Sequence, residues 1–95
     1  MDLKVELYRI GESRPRLGHS SELSESGLGG IMVADLPIGE AVTVVFEGAP
    51  LLRPVRVQAV VRTREGYSYG FEFLSLSREQ RAIIHSAALF LPRVA

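Results

Sequence analysis

The sequence has 95 residues, 46% of them hydrophobic, and its 11 basic and 11 acidic residues cancel to a formal net charge of zero. This length suits one domain with a compact core, and the apolar content is too high for a disordered chain. The absence of cysteine excludes disulfides and thiolate sites, and the balanced charge disfavours sequence-independent nucleic-acid binding. No apolar run has the length of a membrane span, and residues 1–4 do not resemble a signal peptide, so the sequence predicts a soluble, cytoplasmic domain.

Most of the chain has the two-residue alternation of half-buried strands. Leu3, Val5 and Leu7 share one face of the first predicted strand, and Gly- and Pro-containing turns separate it from the segments that follow. The predicted strands cover residues 4–10, 16–23, 28–33, 41–46, 55–64 and 67–73. Within the third strand, the pair Gly29 and Gly30 indicates a bulge or a close approach to the backbone.

Two of these strands carry side chains with more than one interpretation. Three arginines share one face of the fifth strand with Gln58: Arg56, Arg62 and Arg64. This pattern favours a solvated outer face, and the alternative is a face that docks a partner. The sixth strand carries an aromatic set, which favours the core; the alternative is a stacking platform for single-stranded nucleic acid. This set is Tyr67, Tyr69, Phe71 and Phe73.

The period changes near the C-terminus, where a helix is predicted over about residues 77–91. Ser77 is a suitable N-cap, and Gln80, three residues later, completes a capping box. An apolar stripe follows at helical spacing, formed by Ile83, Ile84, Ala87, Ala88 and Leu91. The sequence therefore predicts a mainly β single domain over residues 1–95. It would be a six-stranded antiparallel, split β-barrel over about residues 3–74, with one C-terminal α-helix covering an opening or a face.

Catalytic and metal-binding patterns are weak in this sequence. His19, Ser20 and Glu22 supply a base, a hydroxyl and a carboxylate, but neighbouring strand residues point to opposite faces and rarely form a catalytic triad. His19 and Glu22 would be two metal ligands without a third. His85 lies in the predicted helix, where a solvated or core-edge histidine is the expectation. We therefore expect no enzyme, no metal site and no cofactor.

The most informative polar segment runs from Glu22 to Gly27. Glu22 and Ser24 are two residues apart at a strand end, so they project from the same face, and Gly27 would permit a left-handed or otherwise strained turn. A carboxylate can accept the paired N–H donors on the Watson–Crick edge of guanine. The alternative is an ordinary polar turn in which the serine hydrogen-bonds to its own backbone.

At these residues the sequence resembles the PilZ domain, a bacterial receptor for the second messenger cyclic di-GMP. The family's second signature is Asp or Asn, any residue, Ser, two residues and Gly; Glu22, Ser24 and Gly27 match it, with Glu in place of Asp or Asn. The similarity continues through residues 36–40, 57–62 and 69–74 and covers about residues 5–88. It implies a six-stranded antiparallel barrel with a C-terminal helix and no enzymatic activity.

The resemblance also implies a first signature, two arginines separated by three residues before the first strand, which hold the phosphates and guanines. This sequence contains no such pair before its first predicted strand, and Arg9, Arg14 and Arg16 lack the spacing. Either the chain is a domain cut from a longer protein, or it is a degenerate member that acts through protein contacts. We expect arginines from an upstream segment to complete the site, with Arg14 and Arg16 as the alternative source.

Three functions follow as hypotheses. The first is a regulatory module that binds cyclic di-GMP through Glu22, Ser24 and Gly27 and relays this to a partner protein or a neighbouring domain. The second is a PilZ-like protein-interaction module without nucleotide affinity. The third is a small barrel that binds single-stranded nucleic acid, which would require steeply salt-dependent binding to oligonucleotides.

Overall fold

A computed structural model of the protein describes residues 2–49 and 51–89. Six strands and one helix follow in chain order: β1 (Leu3–Arg9), β2 (Arg16–Leu23), β3 (Gly27–Met32), β4 (Ala41–Glu47), β5 (Val55–Glu65), β6 (Ser68–Ser75) and α1 (Arg78–Ala88). All seven predicted elements are present, and the β5–β6 hairpin turns at Gly66, which has a positive φ. The last two residues of the predicted helix, 90 and 91, lie outside the described residues.

The strands form a closed antiparallel barrel in the order β1-β2-β3-β6-β5-β4. Each strand has two neighbours, and pairing of β1 with β4 completes the circle, so the six strands satisfy one another's backbone groups. The prediction of a six-stranded antiparallel barrel with a C-terminal helix is confirmed. Among the residues that the structure describes, no helix is long and apolar enough to cross a membrane.

The core fills the barrel with the inward-facing residues of all six strands. The Phe46 and Phe73 rings stack at 5.8 Å between centroids, and α1 adds Ile84 and Ala87, which are almost fully buried. The predicted capping box is present at Ser77. The side-chain amide of Gln80 also donates to the carbonyl of Arg56 at 2.8 Å, which ties the start of α1 to the start of β5.

A register shift in β2 makes Ser21 an extra residue between Ser20 and Glu22. Ser20 is completely buried, and its hydroxyl lies 2.6 Å from the carbonyl oxygen of Gly29 and 2.9 Å from that of Glu22. This hydroxyl bridges the bulge from the inside, so it fixes the position of Glu22 on the outer face.

A register shift in β5 makes Arg62 an extra residue between Val61 and Thr63. The residues after Arg62 therefore point to the face opposite to the one that regular alternation predicts. Arg64 consequently pairs with the buried Tyr69, and its guanidinium lies 5.2 Å from the centre of that ring and bonds to Asp35. The prediction that Arg64 shares an outer face with Arg56 and Arg62 is therefore wrong. A bulge shifts the alternation by one residue, which residue types alone do not reveal.

Three of the four aromatic residues predicted for the core, Tyr69, Phe71 and Phe73, are buried. The prediction is wrong for Tyr67, which is 62% exposed because it belongs to the turn before β6 rather than to the strand.

Candidate ligand-binding groove

A groove of about 650 Å³ lies on the outside of the barrel, across β2, β3, β6 and β5 and beside the C-terminal half of α1. Glu22, Ser24 and Gly27, the three residues of the predicted signature, all line it. The structure therefore places these three residues at one concave surface.

The floor of the groove follows from the strand register. Glu22 pairs with Gly29, Gly29 with Gly70, and Gly70 with Thr63, so these four residues form one row across four strands. With neighbouring strands about 4.8 Å apart, the row spans about 14 Å. Its two central members have no side chain, and the neighbouring Glu22 carboxylate and Thr63 hydroxyl fill the space above them that a Cβ would take.

Glu22 forms one wall of this groove. Its carboxylate lies over Gly29, close enough that a Cβ on the glycine would be 2.8 Å from Oε2. The side chain is exposed, and among the described residues its carboxylate accepts no hydrogen bond. Both carboxylate oxygens are therefore available to N–H donors of a ligand.

Ser24 and Gly27 hold the turn that joins β2 to β3. The Ser24 amide donates to the Gly27 carbonyl at 2.9 Å, and the Ser24 hydroxyl accepts from the Ser26 amide at 3.3 Å. The serine thus bonds its local backbone, which was the alternative interpretation of this segment, while it also lines the groove. Gly27 does not have a positive φ, so the turn does not use the left-handed conformation that a glycine permits. A glycine is required there because a Cβ would collide with the carbonyl oxygen of Phe71 on β6.

Arg14 and Arg16, the alternative phosphate ligands, lie away from the groove. Arg16 begins β2 and Arg14 precedes it, whereas Glu22 is near the other end of that strand, about 20 Å away. Arg16 donates to Glu12 at 2.9 Å. The structure does not bring either arginine together with Glu22, Ser24 and Gly27.

The charge of the groove is dominated by carboxylates. Glu22, Glu25 and Glu72 line it, against Arg62 and His85. Arg62 donates to Glu72 at 2.9 Å, and Nδ1 of His85 lies 3.4 Å from Glu25. This surface suits a group rich in N–H donors, such as the edge of a guanine or an arginine side chain.

Arg62 is the groove residue that sequence reasoning assigned to a solvated outer face. No local signal marks it, because it reaches the groove through the bulge in β5 and through the pairing of β5 with β6. Within residues 2–49 and 51–89, no group of three or more His, Cys, Asp or Glu side chains converges to hold a metal ion.

Comparison with known proteins agrees with the fold of the chain. A family model for the PilZ domain matches residues 1–89, which include the whole barrel and α1. No curated protein matches the chain at a significant level. A match over this much of the chain, together with the closed six-stranded barrel and its C-terminal helix, shows that the chain belongs to the PilZ domain family.

Proposed function

We propose that this domain is a regulatory module that binds cyclic di-GMP in the groove and relays binding to a partner protein or a neighbouring domain. The family match supports this proposal, because PilZ domains are ligand-binding modules rather than enzymes. The observation that carries the proposal is the unpartnered Glu22 carboxylate, within the described residues, at the edge of the floor formed by Gly29 and Gly70.

The chemistry of this wall matches the Watson–Crick edge of guanine. That edge presents two adjacent N–H donors, and a carboxylate accepts both through its two oxygens. A hydrogen bond to a charged group contributes about 1.5–3 kcal/mol, roughly a ten- to hundredfold change in affinity. The extra methylene of Glu22, relative to the family's Asp, carries the carboxylate out over Gly29.

The phosphates of the ligand need cations, which the family's paired arginines before β1 supply. Leu3, the first residue of β1, pairs with Ser20, two residues from Glu22. An arm attached to the start of β1 would therefore begin beside the groove. Ordering of such an arm over a bound dinucleotide is the proposed switch, since it would change the surface offered to a partner.

The test is calorimetric titration of cyclic di-GMP, with GMP as a control ligand, into the full-length protein. We expect binding that weakens about ten- to a hundredfold in Glu22→Gln, because the neutral amide replaces one acceptor oxygen with a donor. Glu6→Gln, a carboxylate on β1 outside the groove, serves as the matched control and should bind like the wild type. Absence of binding would refute the proposal.

An exposed apolar surface favours a second candidate, a protein-interaction module. Leu17 and Val33 are joined by a backbone hydrogen bond of 3.0 Å, and Ile31 lies two residues before Val33. Leu17 and Ile31 are each 54% exposed, and Val33 is 74% exposed. Binding of a partner protein through this surface, without any binding of cyclic di-GMP, would support the second candidate.

The structure does not provide the stacking platform that the nucleic-acid hypothesis requires, because Tyr69, Phe71 and Phe73 are buried.

A further inference from the structure

Arg62 stands on the side of the groove opposite Glu22. It is the bulged residue of β5, next to Thr63, which ends the row of residues across the glycine floor. A bulge redirects a side chain relative to the regular alternation, and here it places a guanidinium at the groove. The Glu22 carboxylate and the Arg62 guanidinium therefore lie on opposite sides of the glycine floor.

The guanidinium of Arg62 uses only part of its hydrogen-bonding capacity within the described residues. It donates through one nitrogen to Glu72 at 2.9 Å, and its side chain is 55% exposed. A guanidinium has five N–H donors, and among the described residues Glu72 is the side chain that accepts from it. The remaining donors match the oxygens of a phosphate, which arginine binds in a planar, two-point geometry.

We propose that Arg62 binds a phosphate of the nucleotide whose guanine is bound by Glu22, and that Glu72 holds Arg62 in place while the groove is empty. This inference rests on the proposed function and adds a phosphate-binding residue from the barrel itself. The row places the backbones of Glu22 and Thr63 about 14 Å apart, so Glu22 and Arg62, the neighbour of Thr63, reach a ligand from opposite ends of the row.

Removing the charge of Glu72 should raise the affinity for cyclic di-GMP, whereas removing Arg62 should lower it. Because Glu72 competes with phosphate for Arg62, its neutralisation should free the guanidinium and also remove a carboxylate that repels the dianionic ligand. An exposed ion pair contributes little to folding, so variants of either residue should remain folded.

The experiment compares Arg62→Gln, Glu72→Gln and Arg16→Gln in titrations with cyclic di-GMP and with guanosine, which has no phosphate, followed by NMR in the full-length protein. Arg16 is the matched control, because its pair with Glu12 has the same 2.9 Å length and lies at the other end of β2. We expect Arg62→Gln to weaken cyclic di-GMP binding about ten- to a hundredfold and to leave guanosine binding unchanged. Glu72→Gln should strengthen cyclic di-GMP binding about two- to fivefold.

The outcomes separate the two proposals. If the wild type binds cyclic di-GMP and Arg62→Gln binds it equally well, the role of Arg62 is refuted and the proposed function stands. An equal loss for guanosine, or an equal loss in Arg16→Gln, would also refute a phosphate contact by Arg62. If the wild type binds neither ligand, the proposed function fails and this inference fails with it.

Discussion

Gly29 and Gly30 are neighbours in β3 but meet different surroundings. A Cβ added to Gly29 would contact the end of the flexible Glu22 side chain, at 2.8 Å from Oε2. A Cβ added to Gly30 would run into the carbonyl oxygen of His19, a backbone atom of the paired strand. Neither glycine has a positive φ, so alanine fits the backbone conformation at both positions and only the space differs.

We therefore expect Gly30→Ala to destabilise the domain and Gly29→Ala to leave its stability nearly unchanged. Overpacking typically costs about 1–3 kcal/mol, and each kcal/mol lowers the Tm of a domain this size by about 4–8 °C. At Gly29, displacement of the Glu22 carboxylate is offset by about 0.4–1 kcal/mol, because alanine has less conformational entropy than glycine in the unfolded chain.

Thermal and urea unfolding of the two variants, followed by circular dichroism, measures this difference. Gly29→Ala should also weaken cyclic di-GMP binding, since its methyl group would stand on the groove floor, and a folded variant makes that loss interpretable. Equal stability of Gly30→Ala and the wild type, or an equal loss in both variants, would refute the steric argument.

Three further predictions concern buried polar contacts and pH. Ser20→Ala should lower the free energy of unfolding by about 1–3 kcal/mol, because the hydroxyl that bridges the β2 bulge is lost, whereas the exposed neighbour Ser21→Ala should change it by less than about 0.5 kcal/mol. Tyr69→Phe should also cost about 1–3 kcal/mol in urea unfolding, because the buried phenol oxygen bonds backbone groups on both sides of Asp35, at 2.7 and 3.0 Å. The hydrogen bond from Arg64 holds the pKa of Asp35 below its ordinary value of 3.8, so its stabilisation is present above that pH and is lost as pH falls through the lowered pKa. Asp35→Asn should therefore flatten the acid side of the stability profile measured by urea unfolding as a function of pH.

Each of these has an outcome that contradicts it. Equal stability losses for Ser20→Ala and Ser21→Ala would mean that the bulge does not depend on the buried hydroxyl. A neutral Tyr69→Phe would show that water satisfies the two backbone groups instead. An acid limb unchanged by Asp35→Asn would show that the contact with Arg64 does not contribute to folding.

The element order and much of the core were predictable because their signals are local. Alternation over a few residues marks each strand, and Ser77 with Gln80 marks the start of α1 through contacts within one turn. The candidate residues Glu22, Ser24 and Gly27 were also identified from one short segment, and the turn between β2 and β3 keeps them together in space.

The shape of the groove depends on strand register, which is a property of the whole barrel. Gly29 and Gly70 become neighbours only when β3 pairs with β6, and the facing of Arg62 and Arg64 depends on a one-residue bulge in β5. A one-residue slip reverses every side chain beyond it, so the same residue types fit either arrangement. The sequence alone determined which residues form strands and which carry the signature. Closure of the barrel decided that a glycine floor, a carboxylate and an arginine share one surface, because only long-range pairing fixes the register.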